Sequence, residues 1–116
     1  MNFAANVYES SYQVNSFYAI DNSTKQQIPC DDAGFINPAE DTEIIFYHPY
    51  QDTRIDVNTL TIAAGDDPVL LQINDNERYP LFVDANERKE IIYMRIYSIK
   101  VLRSGSFYYE GLSSDT

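Results

Sequence analysis

Between Pro68 and Leu112 the chain reads as a series of short apolar runs joined by tight polar turns: PVLLQIN, RYPLFV, KEIIYMRIYSIKVLR and SFYYEGL. Each run is rich in β-branched and aromatic residues, which suit a pleated, half-buried surface. Runs of this length with Asp, Asn, Gly and Ser between them are strand and turn signals. An all-β domain follows. The rest of the chain agrees with it. From Tyr12 to Ile20 the residues alternate, with Tyr12, Val14, Tyr18 and Ile20 on one side, so a strand is expected there. Asp21–Thr24 is a turn cluster. Thr42–His48 is a continuous apolar strand stopped by Pro49. Arg54–Val57 and Thr59–Ala63 alternate, with a slip of phase at Asn58 that suggests a bulge or tight turn. Val69–Asn74 and Arg78–Val83 form a hairpin about Asp75–Glu77. Pro80 places the return strand at a sheet edge. Asp84–Arg88 is polar and fits one turn of helix.

Two segments are less regular. Lys25–Asp41 holds Pro29, Gly34 and Pro38, shows little periodicity, and reads as one long irregular loop. Loops of about this length tend to be functional or ordered by a partner. Glu90–Leu102 is long for a strand and apolar on both faces, with Ile91, Tyr93, Tyr97, Ile99 and Val101 against Ile92, Met94, Ile96 and Leu102. A helix competes for this segment. Its composition favours one long strand, or two breaking near Tyr97–Ser98. The expected architecture is a single domain over residues 1–116, a β-sandwich or jelly-roll-like, mostly antiparallel fold of 8–10 short strands. An antiparallel sheet usually keeps one face wet. A strand apolar on both faces asks for a core on one side and a neighbouring subunit on the other. A homo-oligomer is expected on that ground, with a trimer the first choice.

Charge narrows the function classes. Eight basic against 18 acidic residues leave a net charge of −10. Phosphate binding needs a basic face, so neither a nucleic acid nor an anionic membrane surface is expected as partner. No apolar run reaches the length of a membrane helix. The opening MNFAANVYESSYQ has no basic stretch followed by a long apolar one, so no secretory signal is expected. Cys30 is the single cysteine, which excludes an internal disulfide and a cysteine-based zinc site. His48 is the single histidine. As a general base it needs a partner that no motif nominates. The loop pairs Asp31–Asp32, Glu40–Asp41 and Asp66–Asp67 are the kind of carboxylates that hold calcium, but no EF-hand pattern surrounds them. No phosphate loop, dinucleotide fingerprint or nucleophile elbow occurs. No catalytic residue, metal ligand or cofactor is assigned.

What remains is aromatic. Ten Tyr and six Phe, with no Trp, are candidates for contact surfaces, since Tyr offers large amphipathic area. Tyr47 and Tyr50 flank His48. Tyr97 lies on the doubly apolar segment. In Phe107-Tyr108-Tyr109, alternation turns Tyr108 away from the other two, so the three cannot share one core. These six are the candidate interface residues. The stretch from Tyr79-Pro80-Leu81-Phe82-Val83, through Glu90-Ile91-Ile92 and Ile96-Tyr97-Ser98-Ile99-Lys100-Val101, to Gly105–Gly111 resembles the closing region of small structural proteins of tailed-phage virions. The likeness spans residues 68–112, and the first 67 residues show none. It implies a non-enzymatic virion protein. Foremost is a capsid decoration protein that stabilises the shell by contacts with the major capsid protein or another virion protein. The alternative is a tail or fibre component, or a carbohydrate-binding adhesin module.

Overall fold

The computed structural model describes residues 17–47, 54–92 and 94–112. Among them there is no helix and there are ten strands: β1 (Tyr18–Asp21), β2 (Gln26–Gln27), β3 (Phe35–Ile36), β4 (Glu43–Tyr47), β5 (Thr59–Ala64), β6 (Val69–Ile73), β7 (Leu81–Val83), β8 (Arg88–Ile91), β9 (Ile99–Arg103) and β10 (Phe107–Leu112). They form a six-stranded sheet of order β2-β1-β4-β9-β6-β7 and a four-stranded sheet of order β3-β10-β5-β8. Every pairing between them is antiparallel. The two sheets pack face to face, so the all-β sandwich expected from alternation is the fold found.

The period-two pattern explains why. On β4, Ile44 and Phe46 point into the core; on β6, Val69, Leu71 and Ile73; on β9, Ile99 and Val101. The four-stranded sheet answers with Leu60, Ile62 and Ala64 of β5 and Phe107 of β10. Phe17 and Phe46 meet edge to face, with ring centroids 5.0 Å apart. That geometry suits the ring quadrupoles. Asn58 bends the chain, and Leu60 then resumes the inward set begun by Ile55 and Val57. Arg54–Val57 itself is not a strand. Its β-type pairings are the isolated bridges Tyr47–Arg54 and Val57–Ile96.

Lys25–Asp41 is not one irregular loop. β2 lies on the edge of the larger sheet, where Gln27 pairs with Ile20. Residues 30–36 then fold into a small hairpin closed by a Cys30–Ile36 bridge. Its turn is built by Asp31, whose carboxylate accepts the N–H groups of Ala33 and Phe35, each at 2.9 Å. Gly34 supplies a φ of +88°, a left-handed conformation that glycine adopts without steric cost. Two-residue strands carry no periodicity, which is why the sequence hides them.

Glu90–Leu102 is not one strand either. β8 belongs to the four-stranded sheet and β9 to the six-stranded sheet, so residues 92–98 cross from one layer to the other. Val57 and Ile96 exchange backbone hydrogen bonds at 2.9 and 2.8 Å in mid-crossing. The Asn74 side chain accepts the Tyr97 N–H at 2.8 Å and donates to the Arg95 carbonyl at 2.9 Å. Arg95 in turn pairs with Asp56 at 2.6 Å. The double apolar pattern records a change of layer. Ile91 packs on the core, and Ile96 and Ile99 lie in it, while Ile92 and Met94 are exposed. The segment therefore supplies no argument for a covering subunit. Asp84–Arg88 is a reverse turn rather than helix. The Glu87 N–H donates to the Asp84 carbonyl at 2.9 Å, and Asn86 takes a φ of +59°, which Asn tolerates. Arg88 already opens β8. The expected edge strand after Pro80 is present as β7, shortened to three residues.

Candidate functional site

The β10 strand carries the second aromatic cluster, and the two layers divide it as alternation requires. Phe107 is 1% exposed and sits in the core. It is no interface residue of this chain, because the face it shares with Tyr109 is the inner one. Parity alone says only that two residues share a side, not which side is dry. Tyr109 packs against Phe46 and Phe17, with centroids 5.5 and 5.9 Å apart. Its hydroxyl oxygen accepts the N–H of Ala19 at 3.1 Å, a bond from one sheet to the other. Burial pushes this phenol up to about 12, against the opposing pull of the Ala19 N–H. Tyr108 faces outward. Its ring lies near Phe35 and over Gly34, where an added Cβ would stand 3.2 Å from the ring. Its hydroxyl donates to Glu110 at 2.9 Å, and the other Glu110 oxygen takes Arg88 at 2.8 Å. The hydrogen bond to that carboxylate raises the Tyr108 phenol, with burial adding to it.

Tyr97 lies on the crossing segment, 38% exposed, with its hydroxyl 3.3 Å from Asp75. Tyr47 ends β4, half-buried and paired across the strands with Tyr18. Tyr50 and His48 lie outside the described residues, as does the expected strand before Phe17. The described candidates thus do not form one site. Tyr108 and Tyr109 come together at one side of the sandwich, and Tyr47 and Tyr97 stand elsewhere.

Tyr47 belongs to a larger feature, the outer face of the six-stranded sheet. Alternation turns Tyr18 and Ile20 of β1, Ile45 and Tyr47 of β4, Leu70 of β6 and Phe82 of β7 away from the core. They meet as cross-strand pairs: Tyr18 with Tyr47, Ile20 with Ile45, Leu70 with Phe82. A polar stripe, Glu43–Lys100–Gln72, runs between these groups. Tyr18 and Phe82 remain 38% and 41% exposed. Ile45, on the same face, is 1% exposed and so is already covered within the chain.

Tyr108 and Tyr109 line a second feature, an open pocket of about 330 Å³ where the edges of the two sheets approach. Phe17 and Tyr18 close it from the larger sheet, and Gln27, Cys30 and Gly34 form its rim. None of its lining residues carries a charge. A similar volume, about 340 Å³, lies on the other side of β2 among polar groups such as Asp21, Thr24 and Asn37. The aromatic pocket exists because the 30–36 hairpin folds Gly34 against Tyr108. The one local signal for that is Asp31 three residues ahead of Gly34, a turn signature. Among the described residues no group of three or more His, Cys, Asp and Glu side chains is placed to hold a metal ion. No protein-family model matches the chain, and no curated protein or solved structure matches it significantly.

Proposed function

We propose that this chain is a structural assembly protein, acting without catalysis as a capsid decoration protein does, by lying against the subunits of a larger particle. The carrying observation is the outer face of the six-stranded sheet, where Tyr18 and Phe82 stand exposed in the apolar pairs Tyr18–Tyr47 and Leu70–Phe82 on either side of the Glu43–Lys100 stripe. The virion setting rests on the resemblance of residues 68–112.

Magnitudes shape the mechanism. Six strands about 4.8 Å apart make a face about 24 Å wide, and five residues make it about 17 Å long. Such a face offers about 400 Å² to each contact, or about 800 Å² counting both partners, which is below the size of a stable binary interface. One contact alone is therefore weak. Many engaged together on a lattice give a large effective concentration and firm retention. Exposed aromatic rings are suited to act as anchors, and the flanking charges set register.

Co-sedimentation of the full chain with the virions encoded alongside it tests the reading. Wild-type protein is expected to pellet with particles, and Phe82→Asp is expected to stay in the supernatant while keeping its β circular dichroism. Wild-type protein that remains a free monomer beside every particle offered overturns it.

A further inference from the structure

The pocket beside Tyr108 and Tyr109 shares Tyr18 with the sheet face of that assembly reading, but its other lining residues lie off that face. Four aromatic residues, Phe17, Tyr18, Tyr108 and Tyr109, stand on its walls, with the neutral groups of Gln27 and Cys30 at the rim. No Lys or Arg lines it. Asp31 and Asp32 lie in the turn between the lining residues Cys30 and Gly34, although neither side chain lines the pocket. Asp31 is fixed in place there by the N–H groups of Ala33 and Phe35. The chain as a whole bears a net charge of −10, so the surrounding field favours cations and opposes anions. A volume of about 330 Å³ is at the lower end of small-ligand sites.

We propose that this pocket binds a compact organic cation of the quaternary ammonium type, held against the Tyr18, Tyr108 and Tyr109 rings in the field of a strongly acidic chain. A quaternary ammonium has no N–H to satisfy, so rings and a diffuse negative field can replace its weak hydration. A cation within about 6 Å of a ring centroid is attracted by the ring's quadrupole. A primary ammonium gives up more hydration on entering and is bound less well. An anion is opposed by the net negative charge of the chain. The tightly packed Phe17 and Phe46 rings behind Tyr109 hold the inner wall rigid, so the site is largely preformed.

The test is a titration of the full chain, followed by two-dimensional NMR, with choline, with its neutral isostere 3,3-dimethylbutan-1-ol, with butylammonium, and with acetate. Choline is expected to saturate in the millimolar range and to move the resonances of Tyr18, Cys30, Gly34 and Tyr108. The isostere is expected to bind about 2- to 30-fold more weakly, the range that cation–π attraction spans. Two variants keep the outcome readable. Tyr18→Leu removes an exposed ring from the wall and is expected to weaken choline at least about 5-fold. Gln27→Lys leaves every ring in place but sets a fixed positive charge on the rim; it is expected to abolish choline binding and spare the isostere. Equal binding of choline and isostere overturns the proposal in favour of a merely apolar pocket. Choline shifts scattered over the acidic loops and unchanged in Tyr18→Leu overturn it in favour of loose ion pairing. Absence of saturable binding overturns it outright.

Discussion

Tyr109→Phe deletes one oxygen and nothing else, and the structure dictates two linked consequences. At Ala19 the ladder between β1 and the β2 segment is incomplete. The Ala19 carbonyl accepts the Ile28 N–H at 2.8 Å, but the Ala19 N–H donates to the Tyr109 hydroxyl at 3.1 Å. A side chain from the opposite sheet serves as the missing acceptor. Ala19 is 1% exposed, so removing the acceptor strands a buried donor at a cost of about 1–3 kcal/mol. The second consequence concerns alkali. The Tyr109 phenol is raised from 10.0 to about 12 in the folded chain, so the native state keeps a proton that the unfolded chain releases. Stability from this group is complete below about pH 10 and is lost as pH rises from there through about 12. By pH 11 the loss is about 1.4 kcal/mol. Tyr109→Phe cannot suffer it. Urea unfolding of both proteins between pH 8 and pH 11 is therefore expected to show the variant less stable at pH 8 with an unchanged slope. The gap should shrink by about 1.4 kcal/mol by pH 11. A variant as stable as wild type at pH 8, or a gap independent of pH, refutes the reasoning.

The other expectations are simpler. Phe107→Ala empties a core position that is 1% exposed and is expected to cost about 3–5 kcal/mol in chemical denaturation. Tyr108→Phe, on the same strand but facing outward, loses only its bond to Glu110 and is expected to cost about 1 kcal/mol or less. Gly111→Ala drives a Cβ into the Thr59 carbonyl of the neighbouring strand. A loss of about 1–3 kcal/mol is expected in the same assay, with faster amide exchange along β5 and β10. Asp31→Ala removes the acceptor of two backbone N–H groups and is expected to loosen the 30–36 hairpin, seen as rapid hydrogen exchange at Ala33 and Phe35 with the global unfolding midpoint little changed.

How much of this the sequence reveals depends on strand length and on layers. β4, β5, β6 and β10 are five or six residues long, enough for alternation to show, and they appear where the pattern puts them. β2 and β3 are two residues each, and their hydrogen bonds come from distant partners, so no local pattern announces them. The crossing at 92–98 is hidden for another reason. Period-two reasoning assumes one sheet, and Ile91 and Ile99 face one core from opposite layers. The same limit governs the aromatic cluster. Alternation separates Tyr108 from its neighbours correctly, but only the packing of the second sheet shows that Phe107 is on the dry side. The pocket depends on where the 30–36 hairpin lands, which residues as far apart as Phe17 and Tyr109, 92 positions away in sequence, decide together.

The outermost strands, finally, bear on how copies can neighbour one another. Three of them are two or three residues long, and the fourth, β8, reads Arg-Lys-Glu-Ile. Short or charged borders deny another chain a backbone template. Among the described residues, no border strand offers a long uncharged edge along which a continuous ribbon could grow. Neighbours are left to meet through side chains alone, and such contacts can break and re-form singly. Were the chain to coat a particle as proposed, contacts of that kind would let copies be shed and replaced one at a time.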